Sequence, residues 1–377
     1  MKFADIPGSD YIKEKLIHSV GSGKIPHAQL FLGSEGALNL PLALAYTTYL
    51  HCQNKGDRDP CGVCPPCSKS LKYIHPDTHF VFPVGNMGGD KDEERVKADR
   101  LKSFRDFLLA QPFGSLDDWT SFYGGEDKQV NISKDESREI IKSLSLKPFE
   151  SRYKVMLIWQ PEYLHSTAAN GLLKILEEPP PFTIFLLVSN NAEKLLATIL
   201  SRTQLISVPL LTDAELDNYL TQKKGVAEPK AKKIVHLAEG NLNQALKLID
   251  GEDDQSSEWF FTWMGACFQQ KYDKLLATAE EFHQLDKLSQ RYLLHFSLSL
   301  MRETLLHMAR ASAINRIQDN DLARIQKFSK LLSVEKIDNI QKMLNEASFH
   351  LERNGSAKMI FFDTSVQLAR VISPARP

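Results

Sequence analysis

The sequence predicts an α/β domain, a parallel sheet with helices on both faces, followed by a region that is all helix. Three observations carry this expectation. Short, continuous apolar runs alternate with helical stretches over the first 207 residues. The strand pattern stops after Pro209. From there on, apolar residues recur at helical spacing. A strand buried on both faces has no polar side, so it reads as an unbroken apolar run and not as an alternation.

Ala28-Gln29-Leu30-Phe31-Leu32 is the first such run and ends at Gly33. His79-Phe80-Val81-Phe82 is the second, and Lys154-Val155-Met156-Leu157-Ile158 the third. Thr183-Ile184-Phe185-Leu186-Leu187-Val188 and Gln204-Leu205-Ile206-Ser207-Val208 complete the set. Between the third and fourth, residues 168–178 read as a helix stopped by Pro179-Pro180-Pro181, because proline cannot continue the hydrogen-bond ladder. Residues 85–129 break the rhythm with Gly88-Gly89, a mixed charge run over 90–100 and Gly124-Gly125. Leu101, Phe104 and Leu108 share one short helical face there. This stretch reads as an inserted surface excursion, partly mobile.

Thr212 and Glu215 form a capping box, with Leu216, Tyr219 and Leu220 following on one face. Pro229 opens a second helix, and a third runs to about Asp250. Residues 251–257 are a polar linker. Leu285, Leu288, Tyr292, Phe296 and Leu300 then recur at helical spacing, as do Leu322, Ile325, Phe328 and Leu331. Ile337, Ile340, Leu344, Ala347 and Leu351 make a third stripe, ended by Asn354-Gly355, and a last helix runs from Ala357 towards Val371. The expected organisation is an α/β domain over 1–208, a small helical domain over 209–250 and a helical domain over 258–377.

At about 150 residues per domain, 377 residues suit two or three domains. Apolar residues are 42% and charged residues 25%, which excludes a globally disordered or fibrous chain. The longest apolar runs fall far below the ~18 residues of a membrane span. Met1-Lys2-Phe3-Ala4-Asp5 is not a signal peptide. The expected compartment is the cytoplasm, with no membrane partner. Lys and Arg number 46 against 47 Asp and Glu, a net charge of −1, so any contact with nucleic acid has to be local.

Four of the five cysteines, Cys52, Cys61, Cys64 and Cys67, lie within sixteen residues. Two-residue gaps let pairs of thiolates face one ion, and Gly62 eases the turn. Four thiolates satisfy structural zinc, but the same spacing suits an iron–sulfur cluster. Cys267 reads as a small core residue and His75-Pro76-Asp77 as a turn.

Gly33-Ser34-Glu35-Gly36-Ala37-Leu38-Asn39-Leu40 follows the first strand and precedes a helix, where a phosphate-binding loop belongs. Gly33 and Gly36 are present, but Leu38, Asn39 and Leu40 stand at the inner glycine, lysine and magnesium-ligand positions. The third strand ends in Trp159-Gln160, where such a site needs two acids. The frame survives without its charged chemistry.

With those residues in view, the chain resembles the delta-prime subunits of the bacterial DNA polymerase III clamp loader, a branch of the AAA+ ATPases. The matching stretches are Pro26-His27-Ala28, the loop at Gly33, the four cysteines, His75-Pro76-Asp77, residues 169–180 and Thr198-Ile199-Leu200-Ser201-Arg202. The resemblance implies an AAA+ domain, a lid and a helical collar. It implies zinc as the metal, with Cys52, Cys61, Cys64 and Cys67 as ligands. It implies a heteropentamer with gamma or tau ATPase subunits and a delta subunit, which places a sliding clamp on primed DNA. Within the motif Ser201-Arg202-Thr203, Arg202 is expected to reach the ATP of a neighbouring subunit. Asn243 stands where ATPase relatives carry a nucleotide-sensing arginine. The resemblance therefore implies a subunit that does not hydrolyse ATP. Two readings stand beside it: an active NTPase with an unusual loop, and a zinc-dependent DNA-binding module.

Overall fold

Hydrophobic runs of five to seven residues set the centre of the first unit. In the computed structural model, which describes residues 1–85, 93–125, 130–133, 147–249, 255–285, 287–310, 319–352 and 355–372, the strands of this unit are β1 (Ala28–Leu32), β2 (Thr78–Val81), β3 (Val84–Gly85), β4 (Val130–Asn131), β5 (Lys154–Trp159), β6 (Thr183–Ser189) and β7 (Gln204–Ser207). Among the described residues, five form one sheet in the order β2-β5-β6-β1-β7. All its pairings are parallel, with Ala28 opposite Phe185, Met156 opposite Phe185 and Gln29 opposite Gln204. Every residue of β5 and β6 is buried. Leu30, Met156, Ile158, Phe185 and Leu187 pack with Leu172 and Leu176 from a covering helix. The expected parallel α/β sheet is present.

The helices of this unit are α1 (Asp10–Gly21), α2 (Asn39–His51), α3 (Pro65–Leu71), α4 (Glu93–Ala110), α5 (Leu116–Phe122), α6 (Ser166–Glu177), α7 (Ala197–Leu200), α8 (Asp213–Asn218), α9 (Glu228–Ala238) and α10 (Leu242–Ile249). Helix α2 is buried along its whole length, as a helix that is apolar all round must be. The capping box at α8 is present: the Thr212 side chain accepts from the Glu215 N–H. Pro229 sits in the first turn of α9.

Two sequence expectations need correction. The second strand starts and ends one residue earlier than the apolar run, because Phe82 leaves the sheet to stack on Phe104 at 3.9 Å. The excursion is also more ordered than a loose surface loop where it is described. Its stem is an antiparallel pair, β3 with β4, joining Val84 to Asn131 and Gly85 to Val130. Helices α4 and α5 carry a core of their own, with Phe104 and Phe107 fully buried and Trp119 only 1% exposed. Gly88, Gly89 and the start of the charge run lie outside the described residues.

The second unit, Leu248–Pro377, holds α11 (Gln255–Phe268), α12 (Tyr272–Gln284), α13 (Lys287–Met308), α14 (Asp319–Ser329), α15 (Val334–Glu352) and α16 (Ala357–Ile372). Aromatic rings dominate its core: Phe361 stacks on Phe282 at 4.3 Å and lies 4.6 Å from Trp263. Trp263 donates its indole N–H to Ser365 Oγ at 2.9 Å, and Cys267 is fully buried. The stripes were too wide at two ends. Leu285 caps α12 and is exposed, and Leu331 lies past α14 and is exposed. The side chains of Leu288 and Leu322, Asn354 and most of the expected linker lie outside the described residues. Among the described residues no helix is long and apolar enough to cross a membrane.

Candidate functional site

The loop from Gly33 to Leu40 sits at the carboxyl end of β1 and feeds α2. Asn39, at the lysine position, is 4% exposed. Its amide donates to Ser189 O at 2.9 Å and Asn190 Oδ1 at 2.8 Å, and its own Oδ1 accepts from the Leu40 N–H at 3.0 Å. The side chain is thus spent on tying α2 to the end of β6. Gly36 has φ +86, and a Cβ there would collide with the side chain of Asn241. Asn241 also caps α10, accepting from the Gln244 N–H at 3.0 Å. The loop is covered by the start of α10.

Trp159 ends β5 and is 2% exposed. Its ring meets Phe104 at 5.6 Å and Phe107 at 6.2 Å, both from α4. Trp119 of α5 joins the same cluster at 5.2 Å from Phe104 and donates to Pro83 O at 2.8 Å. The excursion is therefore seated on the last residue of β5. Asp118, next in α5, accepts from Asn243 Nδ2 at 2.6 Å and pairs with Lys247 Nζ at 2.5 Å. Burial opposes its charge, but Lys247 and these hydrogen bonds hold its carboxyl below the usual range. Glu162, just past β5, accepts from the Asn190 N–H at 3.3 Å. Burial pushes its carboxyl up, and Oε2 has no hydrogen-bond partner among the described residues.

These residues do not fit a magnesium-bound triphosphate. No cation stands at position 39, no hydroxyl at position 40 and no acid at 159 or 160. Asn39, Trp159 and Asn243 each make contacts within the chain. Asp118, Asn241 and Glu162 were not singled out from sequence. No local spacing signals them, since Asp118 lies 125 residues before Asn243.

The four cysteines converge as expected. Their sulfurs all lie within 4.8 Å of one another. A tetrahedral zinc with Zn–S of about 2.3 Å needs sulfurs about 3.8 Å apart, so small adjustments close the site. Cys52 caps α2, and Cys64 opens α3. Gly62 adopts φ +76, the left-handed turn its position needs. The Cys61 N–H donates to Cys52 Sγ at 3.3 Å, and the Cys64 N–H to Cys61 Sγ at 3.4 Å. Backbone donors at Val63 and Cys64 lower the Cys61 thiol to about 6, while burial pushes Cys52 and Cys67 up. The donor set fits a closed, structural metal centre and leaves no position for substrate.

His75-Pro76-Asp77 braces the loop after residue 146. Asp77 accepts backbone N–H bonds from Phe149, Glu150 and Ser151 at 2.5, 2.9 and 2.8 Å. His75 stacks on His51 at 3.9 Å.

Arg202 lies at the end of α7, well apart in sequence from the loop, with a third of its side chain exposed. It pairs with Glu177 of α6 through Nε at 2.9 Å and through Nη2, and Nη1 donates to Thr198 O at 3.0 Å. Ser201 Oγ lies 3.3 Å from Nη1. The guanidinium is held near the surface and directed by its own helix end.

Residues 8–212 match the family model described as DNA polymerase III, delta subunit. The chain is 28% identical over 254 residues to DNA polymerase III subunit tau of Escherichia coli, covering 66% of this chain and 32% of that protein. It is 26% identical over 253 residues to subunit tau/gamma of Haemophilus influenzae, covering 66% and 30%. The match thus spans about a third of the length of these relatives. Among solved structures, a DNA polymerase III gamma subunit-related protein of Thermotoga maritima aligns with a TM-score of 0.40 and 14% identity, over 95% of this chain and 98% of that one. With more than half of its length matched in one continuous stretch, the chain belongs to the DNA polymerase III delta-subunit family.

Proposed function

We propose that this chain is a non-hydrolysing subunit of a DNA polymerase III clamp loader, a stator that lends Arg202 to ATP held by a neighbouring subunit. One observation carries the reading. Ser201 and Arg202 stand near the surface at a helix end, while Asn39, Trp159 and Asn243 are each engaged inside the chain. The partners are gamma or tau ATPase subunits and a delta subunit in a heteropentamer. The assembly loads a sliding clamp on primed DNA in the cytoplasm. Zinc bound by Cys52, Cys61, Cys64 and Cys67 holds the module together without taking part in chemistry.

Energetics favour the release that this role needs. A half-exposed pair such as Arg202–Glu177 is worth about 0–1 kcal/mol, whereas an arginine supplied in trans to a γ-phosphate accelerates transfer by roughly 10³–10⁵. Glu177 can give up the guanidinium at little cost. Arg202→Ala should leave folding and assembly intact and slow DNA-dependent ATP turnover of the reconstituted loader at least tenfold. Turnover at the wild-type rate in a fully assembled loader would remove the assignment.

The kinship with tau and gamma subunits supports a second reading, in which this chain itself turns over ATP. Turnover by the isolated chain separates the two.

A further inference from the structure

A nucleotide bound between a phosphate loop and an adjoining helix holds the two together. Here the same junction is made by side chains, and the excursion supplies one end of it. We propose that α4 and α5 form an internal strap, with Asp118 as its positioning residue, holding α10 over the phosphate loop in one posture without nucleotide. The strap lies within the first unit and does not depend on the loader role.

The strap has two attachments. At the sheet, Phe104 and Phe107 pack on Trp159, and Trp119 fixes α5 to the same cluster through Phe82, Phe104 and its bond to Pro83 O. At α10, Asp118 takes Asn243 and Lys247, which are four residues apart and so lie on one helix face. Asp118 is aimed before it meets them. Its Oδ2 accepts from the Ser115 N–H at 2.7 Å and from Ser115 Oγ at 2.8 Å, a capping box that fixes its rotamer on α5. The start of α10 then places Asn241 on Gly36.

Sheet, strap, helix and loop form a closed circuit. Each point where an ATPase would touch nucleotide is a joint in it: position 39 to the end of β6, position 159 to the strap and position 243 to Asp118. Joints of this kind keep the helix in place whether or not nucleotide is present. This is the property that a fixed subunit beside moving ones would need.

Hydrogen exchange on the full-length chain tests the strap. The variants are Asp118→Ala, Lys247→Ala and the two combined. Each single change should speed exchange of amides in 242–249 about tenfold, equivalent to about 1.4 kcal/mol, with the helices of the second unit unchanged. The double variant should exchange no faster than Asp118→Ala alone, because both changes break one joint. Unchanged rates in Lys247→Ala, or effects that multiply in the double variant, would overturn the proposal. If Asp118→Ala fails to fold, Lys247→Ala and Asn243→Ala make the same comparison from the α10 side without touching the capping box.

Discussion

Asn39 stands where a phosphate-binding lysine belongs, yet its amide faces inward and ties α2 to Ser189 and Asn190. Trp159 and Asn243, at two other positions where a charged group is expected from the sequence, are likewise engaged inside the chain. The departures from the phosphate-loop pattern were legible in the sequence, because a motif specifies which position carries which chemistry. Their replacements were not. Asp118 and Asn241 reach the site only through tertiary packing, and nothing in their local spacing marks them. Glu162 is the residue whose environment was least expected. Burial raises its carboxyl above the usual range, so the folded state holds a proton more tightly than the unfolded one. That contribution to stability is complete below the unfolded value of about 4.3 and is lost as pH rises through the folded value. Glu162→Gln should therefore stabilise the chain at pH 7 by on the order of 1 kcal/mol. The gain should vanish below about pH 4. Urea midpoints at the two pH values check this, and an equal gain at both would contradict the assignment.

Among the elements, the cysteine module was the most legible, since a metal site is encoded by residue type and short spacing. Its sulfurs meet as expected, between the end of α2 and the start of α3. The choice between zinc and an iron–sulfur cluster was not encoded in that spacing. Purified protein should carry about one zinc per chain, and Cys64→Ser should lose it and open residues 52–71 to protease. Iron with acid-labile sulfide would contradict zinc. The excursion was legible as an interruption with one short helical face, Leu101, Phe104 and Leu108, which lies in α4. Its glycines and mixed charges concealed Phe107 and Trp119, and the sequence offered no sign that Trp159 would be their partner. The main strands were found, with ends misplaced by a residue where tertiary stacking, as at Phe82, outcompeted the ladder.

Over the whole molecule, an α/β unit with an unbroken phosphate-loop frame is joined to a helical unit with an aromatic core. A net charge of −1 supplies no general attraction for DNA. The central claim is that the nucleotide site of this chain has become a joint, leaving Arg202 to act on a neighbour's ATP. Titration of the isolated full-length chain with Mg·ATP, followed by calorimetry and by phosphate release, tests it most directly. The account expects no saturable binding at millimolar nucleotide and no turnover. Micromolar binding with turnover would contradict it and make the chain an ATPase in its own right.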